Sequence, residues 1–305
     1  MKKMRLHIYI AIGVCLVMII IGSFLDLKIN QALYTPGNQF AIAMGAISMT
    51  PGYAVIAFMG GVVLFHAHKI NKVTYQRILI FIFSLLYLGA AIYFDAIEFF
   101  GENGWYNEKL MFVGYLIASP LMLGAYLGGY FAGKKANNPR LWLLMALGAA
   151  FIMLSLIVGT TIVKNIFHRP RFRIAVYNNY LEFYPWWQRC TNYKEYIALY
   201  EGILTKEEFK SFPSGHSSVA TLVVLFVVIL PFIFGKDIKN QVVYFYVAFA
   251  YAVFVYFSRM LAGAHYLSDV GMGGLITLVC LYIYYEIFTH YPKFFYEKPE
   301  LEVAQ

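Results

Sequence analysis

The chain has 305 residues, of which 61% are hydrophobic and only 13% charged, with a formal net charge of +8. At a mean hydropathy of +0.63 it is too apolar for an ordinary soluble domain. Its apolar runs of about 18 to 22 residues match the length a helix needs to cross roughly 30 Å of hydrocarbon, and they lack the alternation of a closed membrane barrel.

In chain order the runs predict eight helical spans, near residues 7–25, 52–67, 78–95, 110–133, 141–163, 217–234, 241–258 and 270–289. The first has the basic start of a signal peptide, but no small-residue cleavage pattern precedes Asp26, so it is expected to stay as a span. Residues 26–51 are only moderately apolar and carry turn signals at Pro36-Gly37 and Pro51-Gly52, and are expected to lie along the membrane interface. The polar breaks leave no room for a separate domain, so residues 1–305 read as one integral all-α unit, a polytopic transmembrane helical bundle. Cys15, Cys190 and Cys280 form neither a metal-ligand spacing nor an even disulfide framework.

Alternating spans divide the 24 Lys and Arg into thirteen on the side of both termini and eleven opposite, which predicts cytoplasmic termini. Eight of the eleven lie between Lys164 and Lys210, in a loop at residues 164–216 that breaks an otherwise clear rule. A solvated, mixed-charge surface would account for such a loop. An anion site would account for it too, and the residues themselves must decide.

Lys164, Arg169, Arg171 and Arg173 put four cations into ten residues at the end of the fifth span. Snorkelling anchors at a helix end have the same composition, so this cluster alone is ambiguous. Next comes Phe212-Pro213-Ser214-Gly215-His216, leading into the sixth span. Proline suits a helix start, serine can cap it and glycine admits a ligand to the backbone, so free amides there would cradle an anion beside His216. A capped helix with an incidental histidine is the plain alternative. Third, residues 258–269 carry Ser258-Arg259, then His265 and Asp269. One helical turn would let Asp269 hold one nitrogen of His265 as N–H and leave the other to attack. Span alternation puts all three clusters on the external face, where four helix ends converge.

These residues resemble the signature of the type 2 phosphatidic acid phosphatases: K-x6-R-P, then P-S-G-H, then S-R-x5-H-x3-D. The second part is complete in Pro213 to His216 and the third in Ser258 to Asp269. The first departs, because counting from Lys164 puts Arg171 at the family spacing but Phe172 in place of its proline, while Arg169-Pro170 offers a second candidate. On a helix, seven residues return Arg171 to the Lys164 face and five leave Arg169 about 140° away. Pro170 can break that helix, so both arginines stay candidates. The resemblance implies a helical-bundle core with His265 as nucleophile, Asp269 as its orienting partner and His216 as the acid for the leaving oxygen. It implies that Lys164, Arg171, Ser214, Gly215 and Arg259 bind the phosphoryl oxygens, that a phosphohistidine forms, and that no metal or other cofactor takes part.

An external site at the membrane boundary points to a lipid phosphate or diphosphate. Candidates are an isoprenoid diphosphate, phosphatidate or phosphatidylglycerol phosphate, handled in a bacterial inner membrane. No nucleic-acid partner is expected. The motifs are similar also to those of glucose-6-phosphatase and of vanadate-dependent haloperoxidases, the latter soluble proteins that eight spans argue against. A lipid phosphotransferase and a non-catalytic anionic-lipid binder or transporter are the other readings. Tyr177, Tyr180, Phe183, Tyr184, Trp186 and Trp187 are expected over the lipid chain or in an aromatic belt at headgroup level.

Overall fold

A computed structural model describes residues 4–69, 74–101, 108–136, 140–234 and 238–291. Lys2, Lys3, Lys72, Lys236, Lys293 and Lys298, counted above for orientation, lie outside them. Among the described residues there is no strand, and eight helices are long and apolar enough to cross a membrane, one for each predicted run. They comprise α1 (Met4–Leu33), the consecutive α2 (Gln39–Ile47) and α3 (Thr50–Lys69), α4 (Thr74–Gly101), α5 (Glu108–Ala136) and α6 (Leu141–Leu156) with the turns that prolong it. After a long connection come α9 (Gly215–Phe234), α10 (Gln241–Leu261) and α11 (Leu267–His290).

Helices satisfy their own backbone groups, which hydrocarbon surroundings demand. Large apolar side chains also point outward: Phe24 on α1 is 81% exposed and Phe131 on α5 is 61% exposed. Such a surface is stable against lipid and not against water, and the chain is an integral membrane protein. The most enclosed helix is α9, whose Val224, Val228 and Ile229 pack with residues of α3, α10 and α11. Helices α3 and α5 touch backbone to backbone, because a Cβ on Gly129 would fall 1.9 Å from the Phe58 carbonyl oxygen.

Helix α1 runs antiparallel to α11 and is pinned at both ends. Arg5 forks onto Glu286 at 2.6 and 2.5 Å, while Ser268 N donates to Asp26 Oδ1 at 3.0 Å. This changes the reading of residues 26–51. The helix does not stop at Asp26 but runs on to Leu33, because Asp26 and Asn30 are buried and have partners on the third cluster. A turn then leads into α2, capped by the Asn38 side chain, which accepts from Ala41 N at 3.0 Å.

The long connection is folded. Helix α6 widens into a π-helical turn, Ile157–Val163, before the short α7 (Lys164–Phe167). His168 then stops the helix in the left-handed region at φ 47°. A second π-helical turn at Phe172–Val176, α8 (Tyr193–Leu199) and a 3-10 turn at Lys206–Phe209 follow. Leu181, Cys190, Leu204 and Phe209 give this segment a small core of its own, with Tyr184 and Tyr193 packed against it.

Candidate active site

The second cluster begins α9 and lies directly on α11. Ser214 N donates to the Asp269 carbonyl at 3.0 Å, and the Ser214 hydroxyl accepts from Ser217 N at 3.3 Å, capping the helix. The approach needs glycine on the facing helix, since a Cβ on Gly273 would fall 2.3 Å from the Ser214 carbonyl oxygen. The Phe212-Pro213 peptide is cis. His216 Nε2 donates to the Gly45 carbonyl of α2 at 3.1 Å, and Glu98 of α4 places Oε2 4.0 Å from the same nitrogen.

In the third cluster Arg259 ends α10, fully buried, and its carbonyl accepts from Ala264 N at 3.1 Å. His265 precedes α11, whose first residue is Leu267, so the expected one-turn relation to Asp269 does not exist. His265 Nδ1 is 3.9 Å from Asp269 Oδ2, too far for a hydrogen bond. Nδ1 donates instead to the Ser211 carbonyl at 2.6 Å. That contact puts the ring proton on Nδ1 and the lone pair on Nε2. Asp269 caps α11: its Oδ2 accepts from Tyr266 N at 2.9 Å and from the Ser211 hydroxyl at 2.5 Å. A carboxylate in the first turn meets amides that have no partner within the helix, which is why Asp269 turns there rather than to the imidazole. The ring centroids of His265 and His216 are 6.5 Å apart.

The first cluster separates its two candidate arginines. The helix has ended by His168, and Arg171 is extended at ψ 146°, so the expected return to one helix face after seven residues does not occur. Backbone bonds anchor the strip instead: Ser211 N donates to the Arg169 carbonyl at 3.0 Å, Arg171 N to Glu208 at 2.7 Å and Arg173 N to Gly263 at 2.9 Å. Arg169 is fully buried, paired with Asp26 and Asp269, and stacked 4.1 Å from the centre of the Tyr266 ring. Burial pushes the Tyr266 hydroxyl well above the ordinary tyrosine range, with Arg169 opposing. Arg171 turns the other way and lines a cavity.

That cavity has a volume of about 1470 Å³ and is open on one side. One end is lined by Lys164, Arg171, Arg173, Gly215 and His216, together with Glu98, Glu207 and Glu208, the last two paired with Lys210 and Arg173. Most of the rest is apolar wall, with Phe83, Leu86 and Ala90 from α4 and Ala149, Ile152 and Met153 from α6. The turn after α1 and the start of α2 close one side through Tyr34, Asn38 and Ala41. Segment 26–51 thus contributes to the site as well as to the bundle. Ser214, Arg259, His265, Asp269 and Arg169 are fully buried and do not line the cavity.

None of the six loop aromatics lines it either. Trp186 donates to the Ser23 hydroxyl at 2.9 Å and stacks on Phe212, Phe183 packs against Tyr266, and Tyr180 and Tyr184 belong to the packing of the loop. Trp186 thus holds the connection over α1 and the second cluster, and Phe183 holds it over the third. The three motifs do not include Arg173, whose Nη2 pairs with Glu208 at 3.1 Å, nor Glu98, Ser211 and Asp26. The signal available for Asp26 was its position four residues before Asn30, one helical turn, just past an apolar run. Among the described residues no group of three or more His, Cys, Asp or Glu has an arrangement able to hold a metal ion.

A family model described as PAP2 superfamily matches residues 140–292, about half of the chain and all three clusters. Comparison with curated proteins and with solved structures gave no match.

Proposed function

The chain belongs to the PAP2 superfamily, and from that premise we propose that it is a lipid phosphatase that hydrolyses a phosphate monoester or diphosphate through a phosphohistidine, without a metal. Membership supports phosphoric ester hydrolysis in general. The observation that carries the lipid reading is the cavity, whose polar end carries Lys164 and Arg171, with Glu208 paired to Arg173 and Glu207 to Lys210, and whose wall along α4 and α6 is apolar. Its volume exceeds the roughly 300–1,000 Å³ of ordinary small-molecule pockets, and its shape in chemical terms is that of a phosphorylated headgroup joined to a long chain. Isoprenoid diphosphates, phosphatidate and phosphatidylglycerol phosphate all have that form.

In this reading Lys164, Arg171 and the Gly215 backbone bind the phosphoryl oxygens at the cavity wall, and the phosphoryl group passes inward beside His216 to Ser214, Arg259 and His265, which lie buried behind that wall; binding and charge stabilisation of this kind are the larger part of phosphoryl-transfer catalysis. His265 Nε2 attacks phosphorus in line while the ester P–O bond breaks, and His216 gives its proton to the leaving oxygen. Water then forms the new P–O bond, the N–P bond breaks, and the proton of the water passes to His216. The Nδ1–H bond to Ser211 supports His265 as nucleophile because it keeps the lone pair on Nε2. Proximity supports the pairing, since both rings are near enough to reach one phosphoryl group. The uneven charge of the loops supports cytoplasmic termini and a site on the external face of a bacterial inner membrane.

The test is phosphate release by the full chain in detergent or nanodiscs from phosphatidate, phosphatidylglycerol phosphate, a polyprenyl diphosphate and a soluble phosphomonoester. At least one lipid should be hydrolysed in the presence of a chelator, and His265→Ala should abolish release while the protein stays folded. Full activity of His265→Ala, or release only from the soluble ester, would overturn the reading.

A further inference from the structure

We propose that Asp26, on α1 and outside the residues matched by the family, is a positioning residue that acts on His265 through Arg169; the inference rests on the phosphatase reading above. Arg169 divides its guanidinium between two buried carboxylates, Nη2 donating to Asp26 Oδ2 at 2.9 Å and Nη1 to Asp269 Oδ1. Its Nε donates to the Tyr184 carbonyl at 2.8 Å, so each nitrogen of the fork is held. Asp269 then holds Ser211, whose hydroxyl donates to Oδ2 at 2.5 Å, and the Ser211 carbonyl holds His265 Nδ1 at 2.6 Å. The line runs from α1 to the imidazole without a break.

Helix α1 grips the same segment at two further points. Ser268 N donates to Asp26 Oδ1 at 3.0 Å, and its hydroxyl donates to Asp26 Oδ2. One turn along α1, Asn30 Nδ2 donates to the His265 carbonyl at 3.1 Å. Both oxygens of Asp26 accept from N–H or O–H donors, as an ionised carboxylate does.

Two carboxylates around one guanidinium leave one excess negative charge in a site sealed from water, since Asp26 is 2% exposed and Arg169 and Asp269 are 0% exposed. Arg169 cannot neutralise both. Asp269 therefore keeps part of its charge 3.9 Å from His265 Nδ1. When Nε2 bonds phosphorus while Nδ1 keeps its proton, the imidazole ring becomes cationic, and that charge develops during attack. A fixed negative charge near the ring favours the transition state over the neutral ground state. Asp26 touches neither substrate nor reacting atoms, and its effect passes through Arg169 and Asp269.

The test uses the full chain in nanodiscs and the lipid phosphate of the panel above that the wild type hydrolyses fastest. Asp26→Asn keeps the shape and removes the charge. It is expected to lower kcat by about tenfold or more while KM stays within about threefold, because the cavity cations are untouched. Arg169→Lys should lower kcat in the same way, and in Asp26→Asn/Arg169→Lys the losses should combine to less than their product, as expected for residues acting along one line. If Asp26→Asn does not fold, Arg169→Lys alone carries the test, since it loosens the link between Asp26 and Asp269 while keeping the positive charge, and it should show the same fall in kcat at unchanged KM. A kcat within twofold of wild type in the folded variant, a change in KM alone, or fully multiplicative losses would overturn the inference. A wild type that releases no phosphate from any lipid overturns the phosphatase reading itself, whereas an active wild type with an unaffected Asp26→Asn overturns this inference alone.

Discussion

Arg169 and Arg171 stand two residues apart and have opposite surroundings, so the same substitution should do different things to each. Removing Arg169 leaves Asp26 and Asp269 facing one another in a sealed interior. Breaking one partner out of a buried ion cluster costs about 3–5 kcal/mol, and Arg169→Ala should lower the thermal unfolding midpoint in detergent sharply. Arg171 lines the cavity at its cationic end. A lost charge-assisted hydrogen bond to a phosphoryl oxygen is worth about 1.5–3 kcal/mol, so Arg171→Ala should raise KM by about tenfold or more and lower the unfolding midpoint by less than Arg169→Ala does. An unstable Arg171→Ala with normal KM would show that Arg171 holds the fold and not the substrate. The spacing from Lys164 pointed to Arg171 and the Arg169-Pro170 pair to Arg169, and the helical geometry that favoured Arg171 ends at the left-handed His168. What separates them is a pair of acids distant in sequence, Asp26 and Asp269, and no local pattern carries that information.

At the scale of elements, the spans were legible because twenty apolar residues in a row have no other stable arrangement in a bilayer than a helix. Their ends were less so. A charge normally closes an apolar run, and Asp26 was read that way, yet α1 continues to Leu33 because Arg169 and Ser268 make burial of the carboxylate tolerable. The junction of α9 with α11 depends on Gly273, and a methyl group there would press on the Ser214 carbonyl. Since a rigid backbone must give way, Gly273→Ala should separate the second cluster from the third. We expect a fall in kcat of at least about tenfold with a loss of stability of about 1–3 kcal/mol, the usual cost of overpacking; unchanged kinetics would mean that the two helices can part without consequence. The long connection makes its own prediction. Cys190 is fully buried in its small core, its amide donates to the Phe167 carbonyl at 2.9 Å, and burial pushes its thiol above the ordinary cysteine range. Thiolate is the reactive form and the sulfur is covered, so maleimide should label Cys190 slowly in the native protein and quickly after denaturation. Fast native labelling would show that this segment opens in solution.

Across the whole molecule the cavity joins the cationic site to the middle of the bundle. Helices α4 and α6 both pack on α3, and between them they supply much of the apolar wall. Phosphate esters that are all headgroup would use only the cationic end, while a lipid would place its chain along Phe83, Leu86, Ala90, Ala149, Ile152 and Met153. Burying a chain there contributes about 0.8 kcal/mol per methylene removed from water, so chain length should be read directly in kcat/KM. Ala90→Trp fills part of the wall and leaves Lys164, Arg171 and His216 as they are. For a long-chain lipid phosphate it should lower kcat/KM by about tenfold or more, because several methylenes lose their place. For an analogue whose chain is too short to reach Ala90, kcat/KM should stay within about twofold. The ratio of the two losses, measured on one preparation, separates a chain-binding cavity from a general disturbance of the fold, which would lower both. Equal losses for long and short chains would remove the chain from this cavity and leave only the headgroup at the cationic end.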